Sequence, residues 1–415
     1  MLVALVAATA GDDFVTRSVA YFDPASGARY ALEPGRWRSD TGGPLLLESA
    51  RGLSRSDIDP ASPGLWRYRA AFAIDIVDPI VLGEGRTPLV PGVWGAGRPL
   101  WKLEWCSPTG SFKDRGASVM LSALRQQGAT SVIEDSSGNG GAAIAAYGAA
   151  GGLDVTVFAP ESTSPGKLVQ SRAYGARIEL VEGPRVASQE AAIAAAERGN
   201  GWYASHNWQP FFLEGTKTLA YEIWEDLGFR APDAVVMPVG AGSSLLGCAF
   251  GFRELLRTGA IDRLPRLYAA QPRNCSPIDA AFHVKPGEGS QGEGGAGAGA
   301  DAGADVGVDA GAGARERAAR RAVLPTIAEG TAIAHPLRLN VILEAVRESG
   351  GGTVAISEDG IRAAHADLAA RGLFAEPTSA TAAAAYGDLV DRGVIGTTET
   401  TVVLLTGSGL KASLA

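Results

Sequence analysis

The sequence predicts an α/β fold with crossover helices, and three observations lead there. Short runs rich in β-branched residues, Ser131-Val132-Ile133-Glu134, Val155-Thr156-Val157-Phe158, Ala234 to Val239 and Thr401 to Leu405, read as buried parallel strands. Helical stretches alternate with them, at Ala142 to Ala150 and Lys167 to Tyr174. Two glycine-rich loops each follow a strand and open a helix, the arrangement that collects backbone N–H groups around an anion.

Taken in chain order, the opening apolar run Met1 to Ala10 lacks a basic n-region and is short for a signal peptide, so it reads as a start-site extension or a first strand. In Ser107-Pro108-Thr109-Gly110-Ser111-Phe112-Lys113-Asp114-Arg115-Gly116, the Pro108-Thr109-Gly110 turn precedes Ala117, Met120, Leu121 and Leu124 at helical spacing. Lys113 therefore lies in the first turn of a helix. Ser111 and Asp114 have the spacing of a capping box, and the positive end of the helix dipole favours the neutral amine, the form that attacks an aldehyde.

Asp135-Ser136-Ser137-Gly138-Asn139-Gly140-Gly141 puts amides and hydroxyls at a helix start that suits carboxylate or phosphate. Gly138-x-Gly140-x-x-Ala143, with Glu161 after the next strand, also meets the dinucleotide fingerprint, and from this loop alone both readings stand. Val239-Gly240-Ala241-Gly242-Ser243-Ser244 repeats the strand, turn and helix pattern without the Gly-Lys-Ser/Thr ending of a triphosphate loop, so a phosphate monoester fits. The stretch 286–314 repeats Gly, Ala, Asp and Glu without large apolar residues; it is expected to be a disordered surface insert and the first site of limited proteolysis. Thr406, ending a buried strand, can donate a hydrogen bond to a pyridine nitrogen without protonating it.

Composition narrows the function. The chain has 415 residues, 46% hydrophobic and 20% charged, long enough for two or three domains of an ordinary globular protein. A formal net charge of -8 without a Lys/Arg stripe argues against nucleic acid and points to small molecules. No run is long enough to span a bilayer. Cys106, Cys248 and Cys275 are unpaired in spacing, which argues against a disulfide framework or local zinc site and for a reducing cytoplasm. His206, His283, His335 and His365 lack ligand spacing and read as ordinary structural or surface residues.

Seven blocks together resemble the threonine synthases and their relatives among the fold type II pyridoxal-phosphate enzymes, from about Gly85 to Lys411. They are Gly85-Arg86-Thr87-Pro88-Leu89, the Pro108 to Gly116 run, Ser136-Ser137-Gly138-Asn139, Glu214-Gly215-Thr216-Lys217-Thr218, the Gly240 loop, Glu376-Pro377-Thr378-Ser379-Ala380, and Thr406-Gly407-Ser408-Gly409-Leu410-Lys411. The dinucleotide reading explains one block and leaves the rest unexplained. The resemblance implies two open twisted α/β lobes with pyridoxal 5'-phosphate in the cleft between them. It implies Lys113 as the Schiff-base lysine and Asn139 at the cofactor's 3-hydroxyl. Gly240, Ala241, Gly242, Ser243 and Ser244 would cradle its phosphate and Thr406 would face its ring nitrogen, while Ser136, Ser137 and Gly138 would flank the substrate carboxylate. The expected domains are 1–50, 51–225 with the lysine, and 226–415 with the phosphate loop and the insert.

The departures matter too. Where threonine synthases continue Ser-Ser-Gly-Asn with hydroxyls that help hold the substrate phosphate, this chain has Gly140 and Gly141. Relatives often begin with a zinc ribbon, but the corresponding stretches here, Asp23 to Gly27 and Ser39 to Leu45, carry no cysteine, so a metal-free remnant held by packing alone is expected. The implied activity is a carbon–oxygen lyase of the threonine synthase type acting on an amino acid. Threonine or serine dehydration, or β-replacement, is the alternative, and a non-catalytic cofactor-binding protein a remote one. A homodimer is the usual assembly of the relatives. The side-chain subsite stays open, since Arg115, Lys167, Arg172 and Lys217 read equally well as surface charges.

Overall fold

The structure, a computed structural model, describes residues 19–48, 51–284, 318 and 323–411. The opening apolar run and the 286–314 stretch lie outside them.

The strands are β1 (Ala20–Phe22), β2 (Arg29–Tyr30), β3 (Leu46–Glu48), β4 (Leu89–Pro91), β5 (Leu100–Leu103), β6 (Ser131–Glu134), β7 (Asp154–Pro160), β8 (Arg177–Val181), β9 (Trp202–Tyr203), β10 (Ala234–Pro238), β11 (Arg266–Pro272), β12 (Gly352–Ile356) and β13 (Thr401–Leu405). The helices are α1 (Lys113–Gln126), α2 (Asn139–Ala150), α3 (Pro165–Ala173), α4 (Arg185–Glu197), α5 (Pro210–Asp226), α6 (Ser243–Arg257), α7 (Pro277–Phe282), α8 (Leu339–Glu348), α9 (Glu358–Ala370) and α10 (Pro377–Asp391).

Two open sheets carry the architecture. One is all parallel, in the order β8-β7-β6-β9; the other runs β12-β11-β10-β13-β5-β4 and is parallel except for edge strand β4. Every residue of β10 and β13 is buried, as central strands covered by helices on both faces must be. The sheets do not follow the expected boundary at residue 225: β5 pairs with β13, so residues 89–103 extend the sheet that holds the phosphate loop. At the carboxyl ends of β6 and β10 the chain turns through its two glycine-rich loops into α2 and α6, where open α/β sheets place their ligand crevice.

The predicted helix after Gly110 is present, and Ala117, Met120, Leu121 and Leu124 are buried on it. Its start is built differently from the expected capping box. The Asp114 carboxylate accepts from the Thr109 N–H at 2.7 Å and from the Thr109 hydroxyl, which locks the preceding turn; Ser111 Oγ has no partner. The Phe112 N–H instead donates to Thr406 O at 3.0 Å and ties the helix start to the end of β13.

The small antiparallel sheet, in the order β2-β1-β3, contains the stretches that resemble a ribbon without its cysteines. Packing alone does not shape it. The buried Asp23 carboxylate accepts from Ala25 N at 2.9 Å, Ser26 Oγ at 2.8 Å and Thr41 Oγ1 at 3.3 Å, while Ser39 Oγ accepts from Gly43 N at 2.9 Å. Burial would raise the Asp23 carboxyl, but these donors outweigh it and hold it below the ordinary value. Asp23→Ala strands several donors, so a loss of about 1–3 kcal/mol is expected in denaturant unfolding. A native-state carboxyl with a lowered pKa stabilises above its unfolded value of about 3.9 and stops doing so as pH falls through the folded value, so the Asp23 increment should vanish in acid.

Candidate active site

A cleft of about 410 Å³ lies at the loop ends, within the size range of small-molecule sites. All eleven residues singled out in the sequence line it: Lys113 from α1; Ser136, Ser137, Gly138 and Asn139 at the start of α2; Gly240, Ala241, Gly242, Ser243 and Ser244 at the start of α6; and Thr406 after β13. Gly242 takes φ +90, and a Cβ there would meet Ile342 Cδ1 at 2.4 Å, so the chain turns sharply into α6 with its first amides facing the cleft.

Lys113 is half-buried against aromatic faces, with Nζ 4.3 Å from the Phe112 ring centroid and 5.8 Å from that of Phe212, and it donates to Ser243 Oγ at 3.4 Å. Its pKa falls to about 8, and burial is the main cause, with Arg185 adding to it and Glu134 and Glu376 opposing. Loss of water around the amine, more than the helix dipole of the sequence argument, therefore raises the share of neutral amine near neutral pH.

Thr406 Oγ1 lies 3.1 Å from Ser379 Oγ and donates to Glu376 Oε1 at 3.5 Å. Glu376, the residue before α10, also accepts from Asn139 Nδ2 at 3.0 Å and so links the two sheets across the cleft. Burial raises the Glu376 carboxyl, with Asn139, Lys411, Lys113 and Thr406 opposing. Glu376 had a signal in the sequence, a Glu-Pro pair opening a helix, but nothing in the sequence placed it beside Asn139.

Of the structural and surface alternatives, His206 is structural, and it also borders the cleft. The ring is buried and lines the cleft; Nδ1 is 2.8 Å from Glu134 Oε1, and the His206 N–H donates to Glu134 Oε2 at 3.1 Å. Glu134, Asp135 and His206 bring ligand-type atoms within 4.8 Å of one another. Protein donors already occupy these carboxylates, since Asp135 accepts from Ser205 Oγ at 2.7 Å and Tyr203 OH at 3.2 Å.

Of the four basic residues left open, Arg115 and Lys217 are wholly buried ion-pair partners rather than surface charges, and neither lines the cleft. Lys167 does line it, paired with Glu329, while Arg172 is exposed elsewhere. Arg185, missed in the sequence, stands at the first turn of α4 on the cleft wall.

An amine of lowered pKa that contacts a helix start shaped for phosphate suits an aldehyde-bearing phosphate ester. Residues 80–407 match the family described as pyridoxal-phosphate dependent enzyme, and the chain belongs to it. It is 32% identical over 361 residues to the threonine synthases of Methanosarcina acetivorans and Methanocaldococcus jannaschii, matches that cover 84% of this chain and 80% of each relative. It is thus a pyridoxal-phosphate-dependent lyase. The processed form of threonine deaminase isoform 2 from Solanum lycopersicum has the same fold, with a TM-score of 0.60 and 22% identity over 78% of this chain and 83% of that one. Among the described residues, no helix is long and apolar enough to cross a membrane.

Proposed function

We propose that the chain acts on an amino acid carrying an oxygen-linked leaving group, and that it converts O-phosphohomoserine and water into threonine and phosphate. The observation that carries this reading is the 32% identity to threonine synthases over 84% of the chain. In this reading Gly240 to Ser244 hold the cofactor phosphate at the start of α6, Asn139 meets the 3-hydroxyl and the Thr406 hydroxyl faces the ring nitrogen. Ser136, Ser137 and Gly138 bind the substrate carboxylate at the start of α2 and orient Cα–H toward Lys113. The bound cofactor supplies the electron sink for a carbanion at Cα. Lys113 would take the Cα proton; departure of a γ-phosphate further needs a Cβ proton removed, whose electron pair expels the phosphate, after which a proton goes to Cγ, the oxygen of water to Cβ and a proton back to Cα, with Lys113 the amine placed to carry them. The Phe112 and Phe212 rings beside Nζ shield that amine from water, which lowers its pKa and raises the share of the neutral form.

Gly140 and Gly141 favour a second reading, β-elimination from serine or threonine, because hydroxyls that relatives use for substrate phosphate are missing. Phosphate release from O-phosphohomoserine measured beside oxo-acid formation from threonine and serine separates the two. The expected result is phosphate release faster by at least about 100-fold, a difference of roughly 2.7 kcal/mol in activation free energy. The opposite ratio would replace the first reading with the second.

A further inference from the structure

Resting on the reading of this cleft as an amino-acid site, we propose that His206 is the residue that recognises the substrate's side chain, presenting Nε2 to its anionic oxygen substituent from the space that Gly140 leaves free. A Cβ on residue 140 would lie 2.6 Å from His206 Nδ1 and 2.7 Å from Cε1, so a side chain at 140 and this position of the imidazole exclude one another. The ring therefore fills the volume that a side chain at 140 would need, and puts an imidazole there. The ring is held in place for this. Glu134 accepts both the His206 backbone N–H and a bond at Nδ1, and Phe212 packs edge-on at 5.7 Å, the same ring that covers Lys113. Nε2 is the nitrogen without a partner among the described residues, on a side chain that lines the cleft.

The charged groups facing the ring are Glu134 and Asp135 at the end of β6, Lys113 on α1 and Arg185 on α4. Burial, then Lys113 and Arg185, hold His206 well below its ordinary pKa while Asp135 opposes; burial pushes Glu134 up to about 7. When the pair carries its extra proton, Nε2 bears a hydrogen whether that proton sits on the carboxyl or on the ring, and it can donate to an anion. When the proton leaves, the Glu134 carboxylate holds Nδ1–H and Nε2 becomes a bare acceptor. Donation to an anion thus belongs to the low-pH side of about 7.

Spectral titration of the holoenzyme with O-phosphohomoserine and with L-alanine, which lacks the oxygen substituent, tests this. His206→Ala should weaken O-phosphohomoserine binding by about tenfold or more, leave L-alanine binding within about twofold, and His206→Gln should recover part of the loss. Gly140→Ala should weaken O-phosphohomoserine binding in the native background and cost little on top of His206→Ala, because the clash is gone. With L-homocysteate, whose sulfonate stays ionised, affinity of the native protein should fall as pH rises above about 7 and stay flat in Glu134→Gln. Equal losses for both amino acids in a His206→Ala protein with an unchanged melting temperature, or a Gly140→Ala effect independent of residue 206, would overturn the proposal. Turnover is not required: a native holoenzyme that binds both amino acids and releases no phosphate would overturn the reaction proposed above and leave the His206 comparison intact.

Discussion

Lys113→Ala is expected to abolish turnover, by at least about 10³-fold, and to remove the visible absorbance of bound pyridoxal. The size follows from the absence of a substitute among the described cleft residues. Lys411 Nζ donates to Thr109 O at 2.7 Å and Lys167 is paired with Glu329, so neither offers a free amine where Lys113 stands. The pKa near 8 adds a pH signature. A lowered amine pKa means that the neutral form accumulates as pH rises, so cofactor uptake by the apoprotein should speed up about tenfold per pH unit below 8 and level off above it. Stopped-flow absorbance measures both. Residual activity within tenfold of the native protein would remove Lys113 from the chemistry.

Arg115→Ala should cost about 3–5 kcal/mol in denaturant unfolding, with no direct change to the cleft lining. The guanidinium is wholly buried. It donates to Glu104 through Nε at 2.7 Å and Nη2 at 2.8 Å, and to Glu222 through Nη1 at 3.0 Å and Nη2 at 2.8 Å. Lys102 Nζ bridges Glu222 and Asp226, each at 2.7 Å. Deleting Arg115 leaves the buried Glu104 carboxylate without a cation among the described residues, and leaves Glu222 with Lys102, which Asp226 also shares. Arg115→Lys should recover little, since a point charge cannot reproduce a fork that spans both carboxylates. Burial acts to raise the Glu222 carboxyl, but Arg115 and Lys102 outweigh it and hold it far below the usual range. Its contribution is therefore complete above the unfolded value of about 4.3 and is lost as pH falls below that, so the native protein and Arg115→Ala should converge in stability in strong acid. A native-like unfolding midpoint for Arg115→Ala at neutral pH would refute the account.

The parts legible in the sequence share one property: they are set within a few residues. A turn at Pro108 to Gly110 followed by apolar residues at helical spacing, and strands 131–134 and 401–405 rich in Val, Ile and Leu, appear where they were expected. Strands that sequence reading passed over have local reasons to hide. β11 ends in Ala-Ala-Gln-Pro, β12 begins with glycine, and β5 carries Lys102 in a buried position that only α5's acidic side chains make tolerable. Edge strand β8 alternates charged and apolar residues and looks like surface.

By itself the sequence picked out eleven of the residues that line the cleft, because glycine-rich turns between a strand and a helix organise their own backbone and carry their side chains with them. Only the tertiary structure decided what those residues meet. Asn139 and Glu376 are 237 positions apart, and His206 and Glu134 are 72. Whether Arg115 is a surface charge or the centre of a buried network, and whether His206 is incidental or a wall of the site, depends on sheet order and helix packing. Burial removes water from these groups, and that changes their charge, their partners and their chemistry.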